Sequence, residues 1–244
     1  MLKTIIRKLL TVLGLDLTKN LKYDRLTKKI MSIIIDENSN CIDVGCHKGE
    51  MLDLILKYSP KGKHTAFEPI PVFYDNLVSK YKNTAKIYPY ALSDKIGHTS
   101  FQYVKNAPAY SGIKRRQYDV KNPEIEEIDV EIQLLDNLIA TDTIIDFIKI
   151  DVEGAELGVL KGAKNIIKKD KPCIIFEFGL GASEFYGTKP EDIYSYLVEE
   201  CGLKIFNLSD WVKMKEPLSL DMFSKTYHNS LEYYFIAHKQ KRTT

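Results

Sequence analysis

The 244-residue chain lacks most of the features that mark a specialised protein. Its four cysteines, Cys41, Cys46, Cys173 and Cys201, form no CxxC pair. That excludes a disulfide scaffold and offers neither zinc spacing nor a redox motif, so a reducing, cytoplasmic compartment is expected. Charge of one sign is also missing. Lys and Arg number 35 against 33 Asp and Glu, a formal net charge of +2, which argues against nucleic acid as the main partner. The chain has no stretch rich in Gly, Ser or Pro that reads as a linker, and no internal repeat, so one domain is expected. Hydrophobic residues at 44% and charged residues at 28% exclude a disordered or low-complexity chain.

What is present begins with residues 1–13, MLKTIIRKLLTVL. Leu2, Ile5, Ile6, Leu9, Leu10 and Leu13 recur at helical spacing, with Lys3, Arg7 and Lys8 on the other face. The stretch is shorter than the roughly 20 apolar residues of a membrane span. Asp16 and Lys19 follow it without a small-residue cleavage site, which disfavours a signal peptide. Two readings stand. One is a helix packed on the domain or on a second subunit of a homodimer. The other is a basic interfacial helix, with residues 1–14 touching anionic lipid at the inner face of a membrane.

Residues 20–35 read as a second helix, which gives an N-terminal helical region over 1–36 ahead of a domain over 37–244. Short apolar runs then alternate with amphipathic stretches. The runs are 41–44, 65–67, 87–91, 147–152, 173–178, 203–208 and 233–237; the stretches are 49–58, 71–82, 155–169 and 190–201. This alternation predicts an α/β fold with a doubly wound, mostly parallel sheet. The last two runs are joined by the loop-like 209–230, so the last strand is expected to be antiparallel, at an edge. Residues 97–138 break the rhythm with strand-like pieces at 99–104 and 130–135 around a charged segment, and read as an insertion or lid.

The residues that carry chemistry sit at strand ends. The first run leads into Asp43-Val-Gly-Cys-His-Lys-Gly49, where Gly45 permits a sharp turn and Gly49 permits a ligand to approach the next helix. Glu68 in AFEP lies 23 residues after Gly45, about where an acidic residue binds a ribose diol. The loop is GxxxG rather than GxGxxG, and no GxxxxGK[ST] occurs. A dinucleotide and a triphosphate are therefore disfavoured, and S-adenosylmethionine is the better fit. The segment Lys149-Ile-Asp151-Val-Glu153-Gly-Ala-Glu156 clusters charges at the end of a buried-looking strand, and Glu177 repeats the theme. Glu156 also suits a first helical turn, where the helix dipole favours an acid, and Lys149 a pair with Asp151.

In this order, IDVGCHKG, AFEP, YALSD, LLDNL, IKIDVEGAELGVLKGA and PCIIFEF resemble the FkbM family of S-adenosylmethionine-dependent methyltransferases. The similarity spans roughly residues 40–180, with the IDVEGxE element its most specific part. It implies a class I methyltransferase (Rossmann-like) fold and O-methylation of a sugar, glycan or other small metabolite. By the resemblance, Asp43, Gly45 and Gly49 form the cofactor loop, Glu68 holds the ribose, Ala91–Asp94 (with Leu92) border the adenine, and Asp151 lies near the methyl group; Cys46, His47 and Pro69, next to these residues, are further cofactor-binding candidates. The family's usual Ala-Asn in the first loop is Cys46-His47 here.

A sulfonium methyl is already activated, so the enzyme must align a hydroxyl, exclude water and provide a base. Asp151, Glu153 and Glu177 are the catalytic candidates, with His47 as a further base or a capping imidazole. Oxygen ligands suit Mg²⁺, but Asp151 and Glu177 alone do not define a metal site, and no metal ligands are assigned. Tyr110, Lys114, Arg115, Arg116 and Lys149 are candidate acceptor-binding residues, set against the reading of 114–116 as a solvated charge run. Trp211, Tyr227, Tyr233, Tyr234 and Phe235 read mainly as core and edge packing, with Trp211 as a candidate sugar-stacking ring. The rival readings are an RNA methyltransferase, which needs a basic groove, a catalytically dead nucleoside-binding or scaffolding protein, and a dehydrogenase, disfavoured by the missing GxGxxG.

Overall fold

The computed structural model describes residues 18–239. The leader helix expected over 1–13 lies outside the described residues. Helix α1 (Lys19–Ile34) is capped by Thr18, whose side chain accepts from the Leu21 N–H at 3.3 Å. It precedes a seven-stranded sheet ordered β3-β2-β1-β7-β8-β10-β9. The strands are β1 (Cys41–Val44), β2 (His64–Phe67), β3 (Lys86–Tyr88), β7 (Phe147–Ile150), β8 (Cys173–Glu177), β9 (Lys204–Asn207) and β10 (Tyr234–His238). β1, β2, β3, β7 and β8 pair in parallel, and β10 runs antiparallel to both β8 and β9. The antiparallel last strand is as expected, but it is inserted between β8 and β9 rather than at an edge.

Every residue of β1 and β7 is buried, as both faces of a parallel sheet require. Side chains alternate between two cores. Ile42, Val44, Ile148, Ile150, Ile174 and Phe176 face one layer, which holds α4 (Glu156–Gly162), α5 (Lys164–Asp170), α6 (Pro190–Tyr194) and α8 (Leu220–His228). Cys41, Phe147, Cys173, Ile175 and Ile236 face the other, with α1, α2 (Glu50–Tyr58), α3 (Pro71–Tyr81) and α7 (Leu208–Val212). The period of two therefore turns Asp43, Lys149, Glu177 and Tyr234 toward the α1 side. Register brings them together: Asp43 lies opposite Lys149, and Tyr234 opposite Glu177.

Four expectations change. The run 87–91 is two strands, because the chain leaves the main sheet after Tyr88 and starts a second sheet at β4 (Ala91–Leu92). That sheet, β4-β6-β5, contains β5 (Gly97–Val104) and β6 (Ile125–Gln133) as a long antiparallel pair, so the insertion is an ordered hairpin. The helix expected over 155–169 is broken at Ala163 into α4 and α5. The loop-like 209–230 holds α8 and most of α7; Ser219 caps α8 by accepting from the Met222 N–H at 3.3 Å. Among the described residues no helix is long and apolar enough to cross a membrane.

Candidate active site

The carboxyl ends of β1, β2, β7 and β8 open into a cleft of about 940 Å³. It lies where the strand order reverses between β1 and β7, the place where doubly wound sheets bind ligands. The β1–α2 loop forms its floor. Gly45 turns with φ 82°, and the N–H groups of Gly45 and Cys46 both donate to the Phe67 carbonyl, at 3.1 and 3.0 Å. A Cβ at Gly45 would overlap the Asp151 carbonyl oxygen. Gly49 does a different job from the one expected. It does not line the cleft, and a Cβ there would overlap Tyr81, whose hydroxyl donates to the Gly49 carbonyl at 2.8 Å.

Glu68 follows the last residue of β2 and is buried in the cleft wall. Its Oε2 accepts from the His47 N–H at 2.7 Å and its Oε1 from the Ile70 N–H at 2.9 Å. Burial pushes its pKa up to about 7, against the pull of these two donors. Each carboxylate oxygen still has a lone pair to offer. Burial likewise raises Asp43 to about 6, with Lys149 opposing, and the Asp43 Oδ2 is buried without a hydrogen-bond partner. Cys46, Pro69, Ala91 and Leu92 line the same wall. The His47 imidazole packs edge-on to Phe73, with ring centroids 4.6 Å apart, and its Nε2 is buried and unpartnered. Burial lowers its pKa, and the Lys48 charge adds to the effect.

The three carboxylates Asp151, Glu153 and Glu177 bring oxygens within 4.8 Å of one another. Buried Lys149 donates to Asp151 Oδ2 at 2.8 Å and places its ammonium 4.7 Å from the centroid of the Tyr234 ring. The Tyr234 hydroxyl donates to the same oxygen. Burial alone would raise Asp151; Lys149, a Glu177 hydrogen bond and Tyr234 outweigh it and hold Asp151 down to about 2. Its neighbours go the other way. Burial and the Asp151 charge push Glu153 up to about 8, with Arg116 opposing, and lift Glu177 well above its ordinary range. Asp151 is therefore the member whose ionised form its surroundings favour most, and Glu177, raised well above its ordinary range, hydrogen-bonds to it. Glu156 is structural: it accepts from the N–H groups of Gly154 and Val152, at 3.0 and 3.3 Å, and so pins the loop before α4.

Of the acceptor candidates, Tyr110, Arg116 and Lys149 line the cleft, while Lys114 and Arg115 are exposed and outside it. Arg116 reaches from the hairpin loop to pair with Glu153 and donates to the Gly181 carbonyl at 2.9 Å, with its guanidinium 5.3 Å from the centroid of the Tyr110 ring. Trp211 is not at the cleft; it is buried in the α1-side core, edge-on to His238. The sequence reading missed Tyr233 and Tyr234 as cleft residues, and also Asn20, Tyr23 and Asp24 of α1. An aromatic pair entering a strand carries no signal of a carboxylate opposite; only the β8–β10 register supplies it.

The acids already have cations and protons from the chain itself. A divalent ion would have to displace Lys149 and Arg116, so the donor set is a poor match for Mg²⁺.

A family model described as the methyltransferase FkbM domain matches residues 43–205. The chain belongs to the FkbM methyltransferase family. Methyltransferase sdnD of Sordaria araneosa is 28% identical over 159 residues, which cover 52% of this chain and 61% of that protein. The chain thus matches about three fifths of that relative's length. Methyltransferase FkbM from Methylobacillus flagellatus KT superposes with a TM-score of 0.52 at 15% identity, over 84% of this chain and 44% of that one. At that identity the likeness speaks for the fold alone, and the fold is the class I, Rossmann-like methyltransferase fold. FkbM membership implies S-adenosylmethionine as the methyl donor. The glycine turn that tolerates no Cβ, the buried Glu68 and the orphaned Asp43 oxygen fit a nucleoside with an amino-acid end.

Proposed function

We propose that this chain transfers a methyl group from S-adenosylmethionine to a hydroxyl oxygen of a small acceptor such as a sugar or glycan unit. The observation that carries the reading is the placement of Asp151, held by Lys149 and Tyr234, in one cleft with the Gly45 turn and Glu68. When bound, S-adenosylmethionine supplies a methyl group already activated by its sulfonium. Glu68 would hold the ribose hydroxyls, the Gly45–His47 loop the amino-acid end, and Ala91 and Leu92 the adenine.

The protein's share of the chemistry is orientation, dryness and a proton acceptor. Lys149 and Tyr234 fix one oxygen of Asp151 and leave the carboxylate free to accept from an incoming hydroxyl. A carboxylate with a pKa of about 2 is too weak a base to strip a free alcohol. It suffices for an oxygen that is already forming its new C–O bond, because that oxygen becomes strongly acidic. Arg116 and Tyr110 close the cleft from the hairpin side and limit water.

Calorimetric titration with S-adenosylmethionine and S-adenosylhomocysteine, with NAD and ATP as controls, tests the donor. Binding of the first two only, weakened about tenfold or more by Glu68→Ala, is expected, equivalent to about 1.4 kcal/mol. Absence of binding overturns the reading. A screen of hydroxylated acceptors with labelled donor then tests the oxygen, with Asp151→Asn expected to bind donor normally and transfer poorly.

A further inference from the structure

Asp151 divides the cleft. The Gly45 turn and Glu68 lie on its β1–β2 side, and the ends of β8 and β10 lie on the other, beside the first turns of α1 and the hairpin loop. The second side is built around Tyr233. Its ring packs edge-on to Tyr23 with centroids 4.7 Å apart, its N–H donates to the Tyr23 hydroxyl at 3.2 Å, and its own hydroxyl donates to the Asn20 Oδ1. Tyr23 in turn donates to Glu232 at 2.6 Å, and the Lys19 ammonium donates to the Ser230 and Leu231 carbonyls at 2.7 and 3.0 Å. Gly179 permits a close approach, since a Cβ there would lie 2.7 Å from the Tyr233 Cβ. The ring is therefore fixed before any ligand arrives. Tyr233 is half-buried, Leu180 next to Gly179 is 48% exposed, and both line the cleft with Asn20.

The charges on this side are not arranged for an anion. Lys149 and Arg116 line it, but their side chains are 6% and 7% exposed, and each is held by a carboxylate, Asp151 and Glu153 respectively. The two acids stand further out, at 28% and 19%. A phosphate or carboxylate that enters meets carboxyl groups before it meets a cation, and to reach Arg116 it has to displace Glu153. The cations of 114–116 thus do not form an anion clamp. Burial and the Asp151 charge favour the protonated forms of Glu153 and Glu177, so these two supply donors as well as acceptors. An aromatic ring and a leucine suit the C–H face of a saturated ring, and carboxyl and amide groups suit hydroxyls at its edge.

We propose that Tyr233, Leu180 and Asn20 form the acceptor subsite, that it takes an uncharged ring bearing several hydroxyls, and that it rejects a ring carrying phosphate or carboxylate. Recognition of the ring stands by itself; its use as a methyl acceptor rests on the function proposed above.

Saturation-transfer NMR of the full chain, with and without S-adenosylhomocysteine, tests the subsite. The probes are methyl pyranosides of gluco, galacto and manno configuration, each with its uronate, its phosphate monoester at the primary hydroxyl and its amino-deoxy analogue. Saturation is expected for at least one parent and for none of its charged counterparts. Tyr233→Ala is expected to weaken that binding about tenfold or more. Tyr233 packs on Tyr23, so its loss can loosen α1. Leu180→Ala and Asn20→Ala, at exposed positions, carry the same test without that risk, each with severalfold weaker binding at an unchanged melting temperature.

No saturation of any parent, saturation of a charged member equal to or above its parent, or full binding by all three variants overturns the proposal. Calorimetric titration of S-adenosylhomocysteine on the same samples keeps the two readings apart. Donor binding without ring binding overturns the subsite. Ring binding without donor binding overturns the methyl transfer and leaves the subsite in place.

Discussion

Gly45 leaves β1 with φ 82° and lies against the Asp151 backbone. One position thus sets both the cofactor turn and the place of the acidic loop. An alanine there meets a disfavoured backbone conformation, about 1–3 kcal/mol, and a collision with a carbonyl group that cannot swing away. Gly45→Ala is therefore expected to lower the melting temperature by several degrees and to abolish S-adenosylhomocysteine binding by calorimetry. Lys149 is the second critical residue. It is buried, and removing it leaves Asp151 without its cation. Lys149→Met is expected to cost about 3 kcal/mol in urea unfolding, and a double variant with Asp151→Asn is expected to recover most of it. Tyr234→Phe deletes one donor to a charged acceptor, about 1.5–3 kcal/mol, and should lower methyl transfer roughly tenfold or more with donor affinity unchanged. Asp43, Gly45, Glu68 and Asp151 were legible in the sequence because apolar parallel strands make a polar residue at their ends conspicuous. Tyr234 was not, because its partner lies 83 residues away.

At the scale of elements, the β5–β6 hairpin decides how closed the cleft is. The sequence showed a long charged insertion but not its order, which comes from an eight-pair register between the two strands. Several ties outside that register hold its connecting loop, the Lys105 N–H to the Glu124 carbonyl at 2.7 Å among them. Gln102 and Gly112 exchange backbone hydrogen bonds at 2.8 and 3.3 Å, the Lys114 N–H donates to the Tyr186 hydroxyl at 3.0 Å, and Arg116 pairs with Glu153. Arg116→Ala removes the tie that reaches the acidic cluster. Hydrogen exchange is expected to accelerate across residues 105–124 and to remain unchanged in β1, β7 and β8; equal protection of the loop would show that Arg116 does not hold it. Helix α8 was hidden for a different reason. Nine residues give little periodicity, although Ser219 ahead of Leu220 was an available start signal.

For the whole molecule, the cleft and the buried loop beside it store proton-binding sites. Asp43 at about 6, Glu68 and Glu156 at about 7 and Glu153 at about 8 all lie above their ordinary values, chiefly because they are buried. The native state therefore keeps protons that the unfolded chain releases at lower pH, and stability falls as pH rises through that window. Asp151, held at about 2 from an ordinary 3.8, acts in the opposite sense: its contribution is present above the ordinary value and is lost as pH falls toward 2. The melting temperature is expected to decline steadily from about pH 5 to about pH 8. A flat or rising profile by calorimetry would mean that these carboxyls are not desolvated in solution.

The sequence by itself determined the α/β class, the main-sheet strands and the loops that meet at their carboxyl ends. Hydrophobic period and glycine placement are local properties, and a parallel sheet converts them into one crevice. Only the tertiary structure decided which carboxylate Lys149 and Tyr234 hold, which cation of 114–116 faces the cleft, and that α1 and β10 supply its remaining wall. Those outcomes depend on burial and register between segments far apart in the chain, where a pKa or an ion pair is set by neighbours that no local pattern names.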